Sequence, residues 1–207
     1  MNRILTVAVA IIGIVVIAAG VWFVFIRQKA QAPTPPAETV STTQAYASTT
    51  LGVSLQYPSG YIINELYVYD QFGPKKLIHG VSFSIPAAMA TGTNLSTDTH
   101  LSVEQLPNAK NCTGDIYLPA NVKAHKVTEG GVDYSLATSS GAAAGNLYEE
   151  QVYALVGTHP CTAVRYTIHS MNIGNYPSGA VTEFDHAKII GDFDGVRRSL
   201  TLSSVTP

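Results

Sequence analysis

Charged side chains make up only 13% of this 207-residue chain, and nowhere do Lys and Arg gather into a stripe. The electrostatic footprint of nucleic-acid binding is therefore missing, and nucleic acid is excluded as a partner. Cysteine is nearly absent: Cys112 and Cys161 are the two in the chain. The six histidines (His79, His100, His125, His159, His169 and His186) contain no H-x-x-x-H pair and no finger-like spacing with a cysteine. There is no G-x-S-x-G turn, and Gly141-Ala-Ala-Ala-Gly145 lacks the Lys-Ser/Thr that follows a phosphate-binding loop. The sequence thus calls for no metal and no cofactor and presents no catalytic signature.

What the chain does have is a run of twenty-three uncharged, mostly apolar residues from Ile4 to Ile26. At ~1.5 Å per residue a helix of that length spans ~34 Å, enough to cross a hydrocarbon core of ~30 Å. The run outlasts the ~7–15 apolar residues of a secretory signal. It closes on Trp22, Phe23 and Phe25, which suit a membrane interface better than a peptidase site. Pro33, Pro35 and Pro36 stop any longer, pilin-like helix. The expectation is an uncleaved anchor (1–29) held in the lipid bilayer by residues 4–26. A Pro/Thr/Ala-rich linker (30–48) and a single globular domain (49–207) follow.

Flanking charge does not orient the anchor, because Arg3 stands on one side and Arg27 and Lys29 on the other. Setting those three aside leaves nine basic residues against fourteen acids, a net of −5 with His neutral. The cysteines break the tie. Two of them fit one disulfide, Cys112–Cys161, which persists in an oxidising compartment; two unpaired thiols in a cytosolic domain are the alternative. The expected localisation is the cell membrane, single-pass, with the N-terminus cytoplasmic and the C-terminal domain outside.

Within the domain, residues 51–57 and 61–69 alternate like strands around Pro58-Ser59-Gly60 and read as a hairpin. Residues 76–85 and 100–106 read as strands, with a loop or weak helix between them. Residues 122–128 and 132–138 flank Gly130-Gly131, the clearest hairpin signal in the chain. Residues 139–145 read as a loop, and residues 148–156 and 162–169 as a further hairpin. Val181, Phe184, Ala187, Ile190, Phe193, Val196 and Leu200 then recur at helical spacing. Thr182 is the expected N-cap, Arg197 and Arg198 complement the helix dipole, and Gly191 and Gly195 weaken the interior. The fold class is α+β: an N-terminal transmembrane helix, then a mainly antiparallel sheet packed against a C-terminal helix.

Leu51-Gly-Val-Ser-Leu-Gln-Tyr-Pro-Ser-Gly-Tyr61 resembles the opening strand and turn of domains related to PsbP and Mog1, with Leu55 for the usual aromatic and Tyr61 for the usual Trp. Residues 183–185 and 193–200 resemble that fold's closing helix and strand. The middle of the chain looks more like a family of uncharacterised bacterial membrane-anchored proteins. The resemblance implies an antiparallel sheet flanked by helices in a binding or assembly module, an analogy of fold alone.

Glu149 and Glu150 are adjacent on a strand, so their carboxylates diverge to opposite faces; a solvated strand end is the favoured reading, and a groove lined by one of them while the other meets solvent is the alternative. All eleven tyrosines follow the linker's Pro-rich start, and sheet packing accounts for most of them. A cluster on one exposed face would suit protein or glycan contact. Candidate contact residues are Glu149, Tyr148 and Tyr153. The leading expectation is a non-enzymatic extracytoplasmic module that binds an unidentified protein or envelope component. The rivals are an envelope-associated hydrolase, which requires a cleft where a His and a carboxylate converge, and a purely structural tether, which would lack an exposed aromatic patch.

Overall fold

The computed structural model describes residues 42–203. The anchor expected at residues 4–26 lies outside that range, and no helix among the described residues is long and apolar enough to cross a membrane. The described chain is mainly antiparallel sheet with one C-terminal helix, the α+β arrangement expected.

Seven strands form the large sheet: β3 (Ile62–Tyr69), β4 (Ile78–Ser84), β5 (His100–Leu106), β6 (His125–Glu129), β7 (Val132–Ala143), β8 (Asn146–Leu155) and β9 (Cys161–Met171), in spatial order β3-β4-β5-β9-β8-β7-β6. A small second sheet joins β1 (Thr43–Ser48), β2 (Val53–Pro58) and β10 (Thr201–Leu202). A single turn, α1 (Ala87–Ala90), precedes β5, and α2 (His186–Ser199) precedes β10.

Two hairpins form as their turn residues dictate. Gly130 and Gly131 take φ of 56° and 82° between β6 and β7, the left-handed pair that matches strand twist. Gly157 to Pro160 join β8 to β9 as expected. Other expectations need correction. The 51–69 hairpin does not form, because β2 pairs with β1 and β10 whereas β3 pairs with β4. Alternation identifies a strand but not its partner. Residues 43–48, read as linker, supply β1. Residues 139–145, read as a loop, mostly continue β7, whose ladder to β8 runs out to Ala143 opposite Asn146. Ile62, Leu66 and Val68 are exposed, Leu66 at 88%, on β3, an edge strand with a register shift between Asn64 and Tyr67.

On one face of the large sheet, Phe83, Val103, Val164 and Tyr166 are buried beneath α2 and the small sheet. Tyr57 packs on Phe83 at 5.1 Å between ring centroids, and Phe193 of α2 packs on Tyr166 at 5.3 Å. The helix is capped by Asp185, whose carboxylate accepts the Lys188 amide at 2.9 Å, not by Thr182. Thr182 instead forms a bridge to Thr93, and the buried side chain of Asn94 accepts the Phe184 amide, so residues 182–184 are held extended. Arg197 turns inward rather than toward the helix terminus: its guanidinium lies over Tyr153 at 4.1 Å and its Nε donates to the Tyr166 hydroxyl at 2.8 Å.

The opposite face is covered by the connection from Pro107 to Ala124. The Cys112–Cys161 disulfide ties that connection to the start of β9 across 49 residues of sequence. Chain-entropy reasoning assigns such a cross-link roughly 4 kcal/mol. Gly114 seats the connection against the sheet, because a Cβ there would stand 2.7 Å from backbone atoms of Ser135, Ala137 and Val152.

Despite Gly191 and Gly195, α2 is one continuous helix, and both glycines face open space. Ala at either site should raise stability by about 0.5–1 kcal/mol through helix propensity and a less flexible unfolded chain. The urea unfolding midpoint reads this directly; a fall in midpoint at both sites would mean the outer face of α2 is not open.

Candidate functional site

β9 is the middle strand of seven, and Arg165 lies near its centre, opposite Ser102 of β5 and Val152 of β8. The two-residue period of strands puts Glu104 and Glu150, each two positions from one of those partners, on the same face as Arg165. The side chains converge there. Arg165 grips Glu104 through two bonds, Nε to Oε1 at 2.8 Å and Nη2 to Oε2 at 2.9 Å. Its Nη1 reaches Glu150 at 2.8 Å, and Nη2 also donates to the Tyr117 carbonyl at 2.8 Å. Tyr69 covers the guanidinium at 3.6 Å. Both Arg165 and Glu104 are wholly buried. Burial pulls the Arg165 pKa down, but Glu104, Tyr69 and Glu150 together outweigh it and the net shift is upward, so the guanidinium stays charged.

A polar row crosses the sheet beside this network. By register, Ser84, His100, Thr167, Glu150 and Ser139 stand side by side on β4, β5, β9, β8 and β7. All but Ser139 line a cleft of about 650 Å³, walled by Tyr67 and Tyr69 at the end of β3. At its other side Tyr148 stacks on His169, with rings 4.5 Å apart and 20° from parallel. His169 Nδ1 meets the Asp98 carboxylate at 2.8 Å and its Nε2 meets Asn146 Oδ1 at 3.0 Å. Burial pushes the Asp98 carboxyl up, yet hydrogen bonds from Ser96 and His169 more than offset this and hold it below its usual range. Desolvation pushes the His100 imidazole down, favouring the neutral ring. The Thr167 hydroxyl oxygen is buried and makes no hydrogen bond to any described residue.

Glu149 points to the opposite face from Glu150, as strand geometry requires. It accepts from His186 Nε2 at 2.9 Å and from Gln151 at 2.7 Å. Together with Phe184, Glu183 and Leu147 these residues line a second cleft of about 670 Å³ on the helix side. Tyr148 borders both clefts and is 39% exposed. Tyr153, the third candidate contact residue, is 7% exposed and sits between Tyr134, Tyr166 and Arg197. It faces the helix-side core rather than solvent, so it packs and does not present a contact surface.

Two His–carboxylate pairs therefore border clefts, the arrangement an envelope hydrolase would require. Among the described residues, however, no Ser, Thr or Cys side chain hydrogen-bonds a histidine ring. Both nitrogens of His169 are engaged, and the cysteines are joined. A nucleophile within reach of a base is not assembled. No three His, Cys, Asp or Glu side chains among the described residues are placed to hold a metal ion.

Glu104 and Arg165 were not singled out from the sequence, although each places a charge in the interior of a strand. Opposite charges within two central strands are the signal that could have found them.

No model of a known protein family and no curated protein sequence matches the chain. Among solved structures, it is similar to a crystal structure from Bacteroides thetaiotaomicron VPI-5482, with a TM-score of 0.46 and 14% identity over 79% of this chain. The chain spans 50% of that protein's length. It is also similar to the solution structure of cyanobacterial PsbP (CyanoP) from Synechocystis sp. PCC 6803, with a TM-score of 0.40 and 15% identity over 82% of this chain and 97% of that one. Likeness at this level carries no functional inference.

On the helix side, Asp194 accepts from Arg197 and from the Tyr166 hydroxyl at 2.9 and 2.8 Å. Burial raises its pKa, but those hydrogen bonds and the charges of Arg197 and Arg198 depress it further than burial lifts it. A depressed carboxylate stabilises the fold above its unfolded pKa of about 3.9, and that stabilisation is lost as pH falls through the folded value. The urea midpoint should therefore fall below about pH 4, and Asp194→Asn should flatten this acid limb. An acid limb of unchanged steepness in the variant would remove Asp194 as its source.

Proposed function

We propose that this protein is a membrane-tethered, extracytoplasmic binding or assembly module, anchored by residues 4–26 with its N-terminus cytoplasmic and its domain outside. The reading includes membership of the PsbP/Mog1-like group, for which residues 51–61, 183–185 and 193–200 are the support. The apolar run supports the anchor, and the joined cysteines suit an oxidising compartment. The observation that carries the binding role is the exposed patch at the open end of the β8–β9 pair, away from its turn. There Leu147, Tyr148, Met171 and Ile173 are each 37–41% exposed; Leu147 lines the helix-side cleft and Tyr148 borders both clefts. An aromatic side chain left partly bare beside concave surface, with apolar neighbours, suits contact with a partner. A structural tether needs no such patch. A hydrolase is the second reading, since two His–carboxylate pairs border clefts, although neither pair has a Ser, Thr or Cys hydrogen-bonded to its histidine among the described residues.

Copurification from intact native membranes tests the role. The full chain should recover an envelope component that residues 1–41 alone do not, and Leu147→Asp should cut recovery at least several-fold, on the order of 1 kcal/mol or more of binding. Recovery at background with the full chain, or equal recovery with the anchor segment alone, would contradict it.

A further inference from the structure

The loop-side cleft, floored by the polar row, offers no free cation among the described residues. Of its carboxylates, Glu150 shares Arg165 with Glu104, Asp98 meets His169, and Asp70 accepts from Gln71. No lysine lines the cleft, and the guanidinium of Arg165 is turned to Glu104, Glu150 and the Tyr117 carbonyl. An anionic ligand would find no available cation. A purely apolar ligand fits no better, because the floor is a row of Ser84, His100, Thr167 and Glu150.

These groups suit hydroxyls. Glu150 Oε2 has only long contacts, 3.4 Å from the Tyr69 hydroxyl and 3.5 Å from Ser139, so it keeps acceptor capacity. Thr167 contributes to the same floor, and its hydroxyl oxygen is covered and has no hydrogen-bond partner among the described residues. Above the floor, Tyr148 has one ring face on His169 and remains partly exposed, while Tyr67 stands across the cleft. A pyranose presents an apolar C–H face and a rim of hydroxyls, the complement of an aromatic platform beside carboxylate and hydroxyl groups. The cleft's 650 Å³ falls within the roughly 300–1,000 Å³ usual for small-molecule sites.

From this we infer that the loop-side cleft binds a neutral, polyhydroxylated ligand, a glycan or its terminal sugars, with Tyr148 as the stacking platform. The inference rests on the binding role proposed above and specifies its ligand class. The helix-side cleft, where Glu149 and Glu183 stand with His186, is not part of this site.

The test is an array of neutral and anionic oligosaccharides probed with the full chain in lipid nanodiscs, since sugar-headed detergents would compete, followed by calorimetric titration of hits. Neutral oligosaccharides should bind saturably, and their uronic-acid counterparts about tenfold or more weakly. Tyr148→Ala should weaken binding by about tenfold or more, the isosteric Thr167→Val by about threefold or more, and His186→Ala by less than about twofold. Circular dichroism confirms that each variant folds. Absence of neutral-glycan binding, a preference for the anionic members, or indifference to both Tyr148→Ala and Thr167→Val would overturn the inference. If membrane copurification still depends on Leu147 while no glycan binds, the ligand class is wrong and the binding role stands. If both fail, the binding role fails with it.

Discussion

The guanidinium of Arg165, buried at the centre of the middle strand, sets the terms for one whole side of the large sheet. Moving such a charge out of water costs several kcal/mol after relaxation, and the cost is recovered only with good geometry and satisfied hydrogen bonds. Here the two oxygens of Glu104, one oxygen of Glu150 and the Tyr117 carbonyl supply that geometry. Each partner comes from a different element, so satisfying one cation fixes the register of β5, β9 and β8 and the position of the overlying connection together. Tyr117 carries the constraint further, because its hydroxyl donates to the Cys161 carbonyl at 2.6 Å, beside the disulfide.

The helix side has a counterpart. Arg197 is buried between Tyr134, Tyr153 and Tyr166 and is bonded to Glu129 and Asp194. Cation–π contact and carboxylate pairing replace water around most of it, while Nη1 is buried without a hydrogen-bond partner among the described residues. Several of the chain's tyrosines are thereby explained as walls for two buried arginines, Tyr69 for one and Tyr134, Tyr153 and Tyr166 for the other. Tyr148 is different: it packs on a histidine and stays partly in solvent. The contrast between Tyr148 and Tyr153, five residues apart on one strand and on opposite faces, separates contact surface from core.

Much of this architecture was legible from period and turn chemistry. Alternation located most strands, Gly130-Gly131 announced a hairpin, and the stripe from Val181 to Leu200 announced the helix, which begins only at His186. What escaped was pairing. Residues 51–57 and 61–69 look like hairpin partners because they are adjacent, but hydrogen-bonding partners are chosen by whichever edge the rest of the chain leaves open. Thr43–Ser48 hid as linker because its Thr, Ala and Ser composition carries little strand signal until β2 lies beside it. The candidate site was half visible. Glu149 and Tyr148 do border clefts, while Glu104 and Arg165 show in the sequence only as single mid-strand charges, because their pairing is a property of two strands brought together, not of either one.

The polar row that floors the loop-side cleft adjoins the Arg165 network and shares Glu150 with it, so the cleft's shape depends on that network being a coupled unit. A double-mutant cycle on Glu104 and Arg165, using Glu104→Leu, Arg165→Met and both together, measures this most directly. Each single change should cost about 3–5 kcal/mol by leaving a buried charge without its partner, and the double change should cost less than their sum by about 2 kcal/mol or more. Additive effects, or single changes that leave stability within about 0.5 kcal/mol of the parent, would show that the sheet does not depend on this pair.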